Sequence, residues 1–450
     1  MAKILGPYFF GIWGFINLVL SYLSYTNMGI QYAINVELSL KDKKNHNEVA
    51  LFIGNSLFVT LCICTILVLI YIVVKISGID LFPTYSFSQY ALLVTLIASL
   101  NQFGQVFANI YRSYGRVSRI AITEILLSVF TLLCVFIFKG VTLIEGLLFT
   151  MASVGLISII IYMVRSPIKI KLSININIIK TLLSKGLALL IYSISFNLIM
   201  LSATTIISIF YSVEKMGCFS LANSITTATL LGLGAITWVL FPTFLWKLRA
   251  DITDVEARAI VTKITKVYST IVYLIVFIVI MVSPLIFLYL TQYAPLAPAL
   301  NYLLLSQAIL SSCIAYNSLA ISRNKQYSVV RISLMSLALV LVMGLLVAYL
   351  KLEFTVVALT VLMAITAYST FQTRLGNSLI GIDTSIVASI KQILPLNLII
   401  PVLIIIIGNI MDYPQTTGLI GLMIFVVLNY RDIIYSLNES CVYLKKLSRK

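Results

Sequence analysis

Four amides on one apolar stretch are the residues of this 450-residue chain best placed to do chemistry. Asn101, Gln102, Gln105 and Asn109 lie within a single hydrophobic run. Positions 101, 105 and 109 are four apart, so on a helix they form a continuous polar face, flanked by Gln102 and ending at Arg112. Amides both donate and accept, so such a face suits a hydrated cavity that hydrogen-bonds hydroxyl-rich cargo without gripping it. The same residue types also serve for bonding between helices. The next run carries Glu124, in AITEILLSVF, the one carboxylate clearly inside such a run. An ionisable group there is costly, which makes Glu124 a candidate for proton or cation coupling. Arg119 stands about one helical turn away, so a structural salt bridge is the competing reading. Asn197 adds a polar point on a later run. Arg112, Arg116 and Lys185 stand at run ends, where an anionic group would be met first.

Other chemistries lack their residues. There is no phosphate-cradling Gly-rich loop, no nucleophile beside a base and no metal-spaced His/Cys set. No catalytic residue, metal or cofactor is therefore expected, and an enzyme is not the reading. Cys62 and Cys64 are two apart and face different ways on a helix, and the single histidine, His46, sits in a charged loop.

These residues must be positioned by membrane helices. With 60% hydrophobic and 10% charged residues, the chain cannot coat itself for water. Apolar runs of about twenty residues recur without strand-like alternation, so the fold class is all-α and polytopic. Thirteen spans are predicted: 8–36, 49–74, 90–111, 120–138, 143–164, 186–210, 218–245, 267–290, 297–321, 329–350, 354–372, 393–410 and 418–435. The first is long enough to kink near Gly29, and the seventh near Pro242. Of the 31 lysines and arginines, twenty-six fall in one alternating set of loops and five in the other. The rich side is cytoplasmic by the positive-inside rule, which places the C-terminus inside. The net charge of +16 thus reports topology, and nucleic acid is not an expected partner.

The predicted organisation is an N-terminal lobe over 1–164, a basic inter-lobe linker over 165–185 and a C-terminal lobe over 186–377. An additional helix pair follows over 378–437, then a basic cytoplasmic tail over 438–450, expected on the anionic inner leaflet. The segment 251–266 reads as an amphipathic interfacial helix opened by a Thr253–Glu256 capping box. A repeat supports two lobes: Gly11, Trp13 and Asn17 recur as Gly217, Phe219 and Asn223. The second copy follows a full apolar segment and the first follows almost nothing, so one opening helix of a fourteen-span pattern is expected to be missing, the alternative being a genuine thirteen-span protein.

LGPYFFGIW at Leu5–Trp13 resembles the LGP-x-x-F-G-x-W segment of bacterial polysaccharide-biosynthesis transporters, the Wzx-type O-antigen and capsule repeat-unit flippases. IISIFYSVEKMGCFSLA at Ile206–Ala222, VLFPTF at Val239–Phe244 and SPLI at Ser283–Ile286 resemble further landmarks of that family, in order along the chain. The resemblance implies the multidrug/oligosaccharidyl-lipid/polysaccharide exporter fold, two six-helix lobes about a central cavity with two added C-terminal helices. It implies undecaprenyl-pyrophosphate-linked oligosaccharide as cargo, moved across the bacterial plasma membrane. Membrane lipids, the pathway's polymerase and its chain-length proteins are the implied partners. Two family charges are absent: an acidic-Leu-Gly reads Asn27-Met28-Gly29, and an Asp-Arg reads Ala203-Thr204. Functions tied to those charges do not transfer. The rival readings are an ion-coupled export antiporter for drugs or another lipid on the same fold, a membrane polymerase or ligase, and a scaffold. The short outer loops disfavour the membrane enzyme.

Overall fold

Hydrophobic runs of this length leave the backbone one way to satisfy its polar groups away from water, the helix. The computed structural model describes residues 1–40, 46–164, 166–168, 173–248, 252–411 and 413–447, and all regular structure among them is helical. Lys41, Lys43, Lys44, Arg165, Lys169, Lys171, Arg249, Arg449 and Lys450, counted above among the loop cations, lie outside the described residues.

The chain divides into two compact units, Met1–Ile194 and Ser195–Lys450. The first holds α1 (Ala2–Ser24), α2 (Ile30–Leu40), α3 (His46–Ile76), α4 (Ala91–Ser113), α5 (Val117–Ile137) and α6 (Gly140–Val164). It also holds the beginning of α7 (Ile176–Phe210), which crosses the division. Helix α4 is its hub and packs against α1, α2, α3, α5 and α6. Helix α5 is largely apolar and mostly unburied within the protein, with Thr123 and Glu124 on its polar side. Phe107 and Tyr111 of α4, Ile34 of α2, Ile53 of α3 and Tyr162 of α6 belong to one core cluster.

The second unit holds α8 (Val213–Lys247), α9 (Asp254–Tyr289), α10 (Ala297–Ser311), α11 (Ile314–Ser322), α12 (Gln326–Tyr349) and α13 (Phe354–Ser378). Three helices complete it: α14 (Ile386–Ile393), α15 (Leu396–Ile410) and α16 (Pro414–Leu447). Its hub is α13, which packs against α10, α11, α12 and α14 and is largely buried. The long helices α9 and α16 pack along each other.

Eleven helices are long and apolar enough to cross a membrane, and two bent pairs bring the number to thirteen among the described residues. The pairs are α10 with α11, bent by 45°, and α14 with α15, bent by 79°. The predicted spans 297–321 and 393–410 are therefore parts of broken elements. The predicted first span, 8–36, is also interrupted. Helix α1 ends at Ser24, a 3₁₀ turn covers Tyr25–Asn27, and α2 begins at Ile30. Helix α8, by contrast, runs on through Pro242. The capping box is present: Thr253 Oγ1 accepts from the Glu256 amide at 3.3 Å and Glu256 Oε2 from the Thr253 amide at 3.2 Å. It opens α9 itself, so residues 254–266 are the first turns of a 36-residue helix, continuous with the span. Helix α7 likewise begins inside the segment read as a linker, and α16 runs on through residue 438 to Leu447.

Candidate functional site

The candidate face is built on α4. Asn101 and Gln105 line a cavity of about 110 Å³ together with Thr123 and Glu124 of α5 and Ser158 and Tyr162 of α6. Thus α4, α5 and α6 bring the carboxylate to two of the amides. Asn101, Gln105 and Glu124 are exposed, and among the described residues their side chains make no hydrogen bond or ion pair. The salt bridge to Arg119 is not formed. The wall behind these groups is fixed. Tyr162 OH and Thr123 Oγ1 share a 2.6 Å hydrogen bond, and Tyr111 OH donates to the Tyr162 carbonyl at 3.0 Å. The site therefore pairs three free polar tips with a rigid aromatic backing.

The other two amides of α4 turn inward. Gln102 and Asn109 are each 4% exposed. Gln102 Nε2 donates to Thr26 Oγ1 at 2.7 Å and to the Leu23 carbonyl at 3.3 Å. Asn109 Nδ2 donates to the Gln31 carbonyl at 2.9 Å, and Arg112 Nη1 donates to Asn109 Oδ1 at 3.0 Å. Helical geometry explains the division. At 3.6 residues per turn each four-residue step drifts by about 40°, so position 109 lies roughly 80° from 101, close to the bearing of 102. The stripe is therefore two faces. One is open to the cavity, and one ties α4 to the turn between α1 and α2.

That turn is a backbone device. Asn27 Oδ1 accepts from the Gly29 amide at 2.7 Å, while Met28 and Gly29 have φ of 50° and 76°. Gly29 lies against Gly186 of α7 so closely that a Cβ on it would stand 1.9 Å from the Gly186 carbonyl oxygen. The neighbouring Lys185 forms an ion pair with Glu37 of α2. Glu37, far away in sequence, gave no signal as its partner. Arg116 is exposed at the start of α5. Arg112 is half-buried, with its guanidinium on Asn109. Both sit near the α4–α5 turn, whereas Lys185 is anchored by α2. Asn197 belongs to the second unit, exposed on α7.

The second unit contributes a pocket of about 200 Å³ that sequence reasoning left undrawn. Phe196, Tyr268 and Tyr368 supply apolar faces, and Gln307 and Asn317 supply amides. The Phe196 and Tyr368 rings stand 5.2 Å apart. Aromatic faces with a few convergent amides are the usual lining of a site for a ring-shaped polar ligand. The signal was weak because aromatics inside an apolar run look like core. Among the described residues, no group of three His, Cys, Asp or Glu could hold a metal ion.

A family model described as polysaccharide biosynthesis protein matches residues 1–245. No curated protein sequence matches the chain. Among solved structures, the lipid II flippase MurJ in an inward closed conformation is similar with a TM-score of 0.68 at 13% identity, covering 96% of both chains. An inward-facing multidrug resistance MATE family transporter of the MOP superfamily has a TM-score of 0.60 at 17% identity, covering 84% of this chain and 89% of that one. Its outward-facing counterpart has a TM-score of 0.55 at 16% identity, covering 84% and 87%. The likeness over nearly the whole chain shows a fold shared with these proteins.

Proposed function

The chain belongs to the polysaccharide biosynthesis protein family, and from that premise we propose that it flips undecaprenyl-pyrophosphate-linked oligosaccharide from the inner to the outer leaflet of the bacterial plasma membrane. The observation that carries this reading is the set of unbonded polar tips, Asn101, Gln105 and Glu124, on one cavity between membrane helices. Polar groups left free at membrane depth are expensive, and a hydroxyl-rich cargo satisfies them in passing. In this proposal the cytoplasmic side is the lysine- and arginine-rich side and holds the C-terminus. The pyrophosphate is met first by Arg112, with Arg116 beside it and Lys185 released from Glu37. The amides then meet the sugars while the polyprenyl chain stays in lipid. Glu124 is the protonatable switch. No step makes or breaks a covalent bond, so the chain is read as a carrier.

The test replaces the amides by a residue of similar size without polar atoms. Asn101→Leu with Gln105→Leu is expected to reduce surface polysaccharide about tenfold or more, the equivalent of losing one or two hydrogen bonds to cargo. Protein abundance in the membrane is expected to stay unchanged, because neither amide bonds to the fold. Full surface polysaccharide in the double variant would remove this face from the transport path. The antiporter reading predicts instead that these variants alter drug resistance and leave polysaccharide intact.

A further inference from the structure

The two broken spans of the second unit open onto one polar cavity, well apart in sequence from the α4 site. Its volume is about 190 Å³. Ser312, at the α10–α11 break, lines it, and so do Gln392, Pro395 and Asn397 at the α14–α15 break. Thr265 of α9 and Asp432 of α16 complete the wall. Irregular backbone inside a membrane protein is tolerated where it is buried in protein or lines a cavity. Here two breaks converge, and the first turn of α15 enters the wall without a side-chain cap on its amides. Ser312 is 3% exposed, and the buried Tyr273 hydroxyl is its polar neighbour. Thr265 Oγ1 is buried and unpaired. The other amides of the wall are engaged: Asn397 Nδ2 donates to Asn429 Oδ1 at 2.6 Å, and Gln392 donates to Tyr316 OH. The Thr265 hydroxyl is thus left over for a ligand, with Ser312 beside it on the same wall.

A second, larger groove of about 520 Å³ adjoins it and shares Thr262 and Lys266. It is lined by Arg258, Lys263 and Tyr435. Lys266 Nζ lies 2.7 Å from Asp432 and 5.6 Å from the centre of the Tyr435 ring. Lys263 pairs with Glu439 at 2.9 Å. Arg258 is exposed and has no ion pair among the described residues. A cation-rich groove therefore leads past one ion pair into a hydroxyl-lined chamber.

We propose that this groove and cavity bind a phosphate-linked polyol head group, the phosphate on Arg258 and Lys266 and the polyol hydroxyls on Thr265 and Ser312. Size argues for a small polyol. The cavity holds about six waters' worth of liquid, enough for a glycerol-sized group and too little for an oligosaccharide. The phosphate competes with Asp432 for Lys266, so occupancy loosens the tie between α9 and α16. Under the orientation proposed above, the groove faces the inner leaflet, where anionic phospholipids supply this chemistry.

The experiment follows the melting temperature of the purified full chain in detergent during titration with short-chain phosphatidylglycerol, phosphatidate, phosphatidylcholine or soluble glycerol phosphate. Phosphatidylglycerol is expected to stabilise at concentrations about 25-fold below phosphatidylcholine, from roughly a fivefold contribution by each of the two basic residues. Arg258→Gln, which breaks no bond in the fold, is expected to weaken the response about fivefold, and Lys266→Gln likewise. Thr265→Val is expected to abolish the advantage of phosphatidylglycerol over phosphatidate, because only the first carries the polyol. Arg331→Gln, an exposed arginine elsewhere in the unit, is expected to change nothing. Stabilisation by glycerol phosphate as strong as by the lipid identifies a soluble source for the same head group, and a response to lipid alone identifies the membrane. Equal responses to phosphatidylglycerol and phosphatidylcholine, or an unaltered response in Arg258→Gln, overturn the proposal.

Discussion

Gly29→Ala is expected to be the most destabilising single-methyl change in the first unit. Two costs combine at this position. The backbone has φ of 76°, where a side chain is strained by about 1–2 kcal/mol. The added Cβ would stand 1.9 Å from the Gly186 carbonyl oxygen, and that obstacle is backbone, which cannot rotate away. Forcing α2 from α7 adds roughly 1–3 kcal/mol of overpacking. The Lys185–Glu37 pair and the Asn109 bond to Gln31 lie beside this contact and move with it. Gly115 provides the comparison. Its φ is 70°, but an added Cβ there meets nothing within 4 Å. Gly115→Ala should therefore carry the conformational cost alone. Thermal unfolding of the two variants in detergent checks the ordering. A Gly29→Ala protein as stable as Gly115→Ala would show that the helices do not approach this closely.

Glu124→Gln is expected to have the largest effect on transport with the least effect on folding. The side chain is exposed to the cavity and makes no ion pair among the described residues, so an isosteric amide removes charge without breaking a contact. If Glu124 takes up and releases the coupling proton, the variant should lose flux by about tenfold or more, since its amide cannot carry the proton through the cycle. Wild-type flux should rise as the outer side is acidified, and the variant's residual flux should be flat with pH. Proteoliposomes with an imposed pH gradient read both quantities. Unaltered flux and pH dependence would leave Glu124 as a passive member of the wall.

Much of this was legible in the sequence, for identifiable reasons. The apolar runs gave the spans because lipid admits few backbone solutions, and Thr253 with Glu256 gave the start of α9 because a capping box is local. The amide spacing located the face on α4. It did not separate Asn101 and Gln105 from Asn109, since the drift of the helix over two steps decides between cavity and core. Lys185 was visible as a cation, yet its partner Glu37 is brought near by the turn at Asn27–Gly29, whose tight glycine contact is non-local. The α14–α15 break had a cue in Pro395, but Ser312 and Cys313 carry neither proline nor glycine, so the α10–α11 break was silent. Tyr268 and Tyr368 were concealed for a related reason: an aromatic that lines a pocket and one that fills a core read alike.

The sidedness of the lipid-linked oligosaccharide in cells with and without this gene tests the central claim most directly. Spheroplasts exposed to a membrane-impermeant glycosidase report which leaflet holds the complete unit. The flippase reading predicts that loss of the gene protects the unit from the enzyme, trapped in the inner leaflet, and that restoring the gene exposes it. A unit that remains accessible from outside without the gene would contradict the reading and place this chain after translocation.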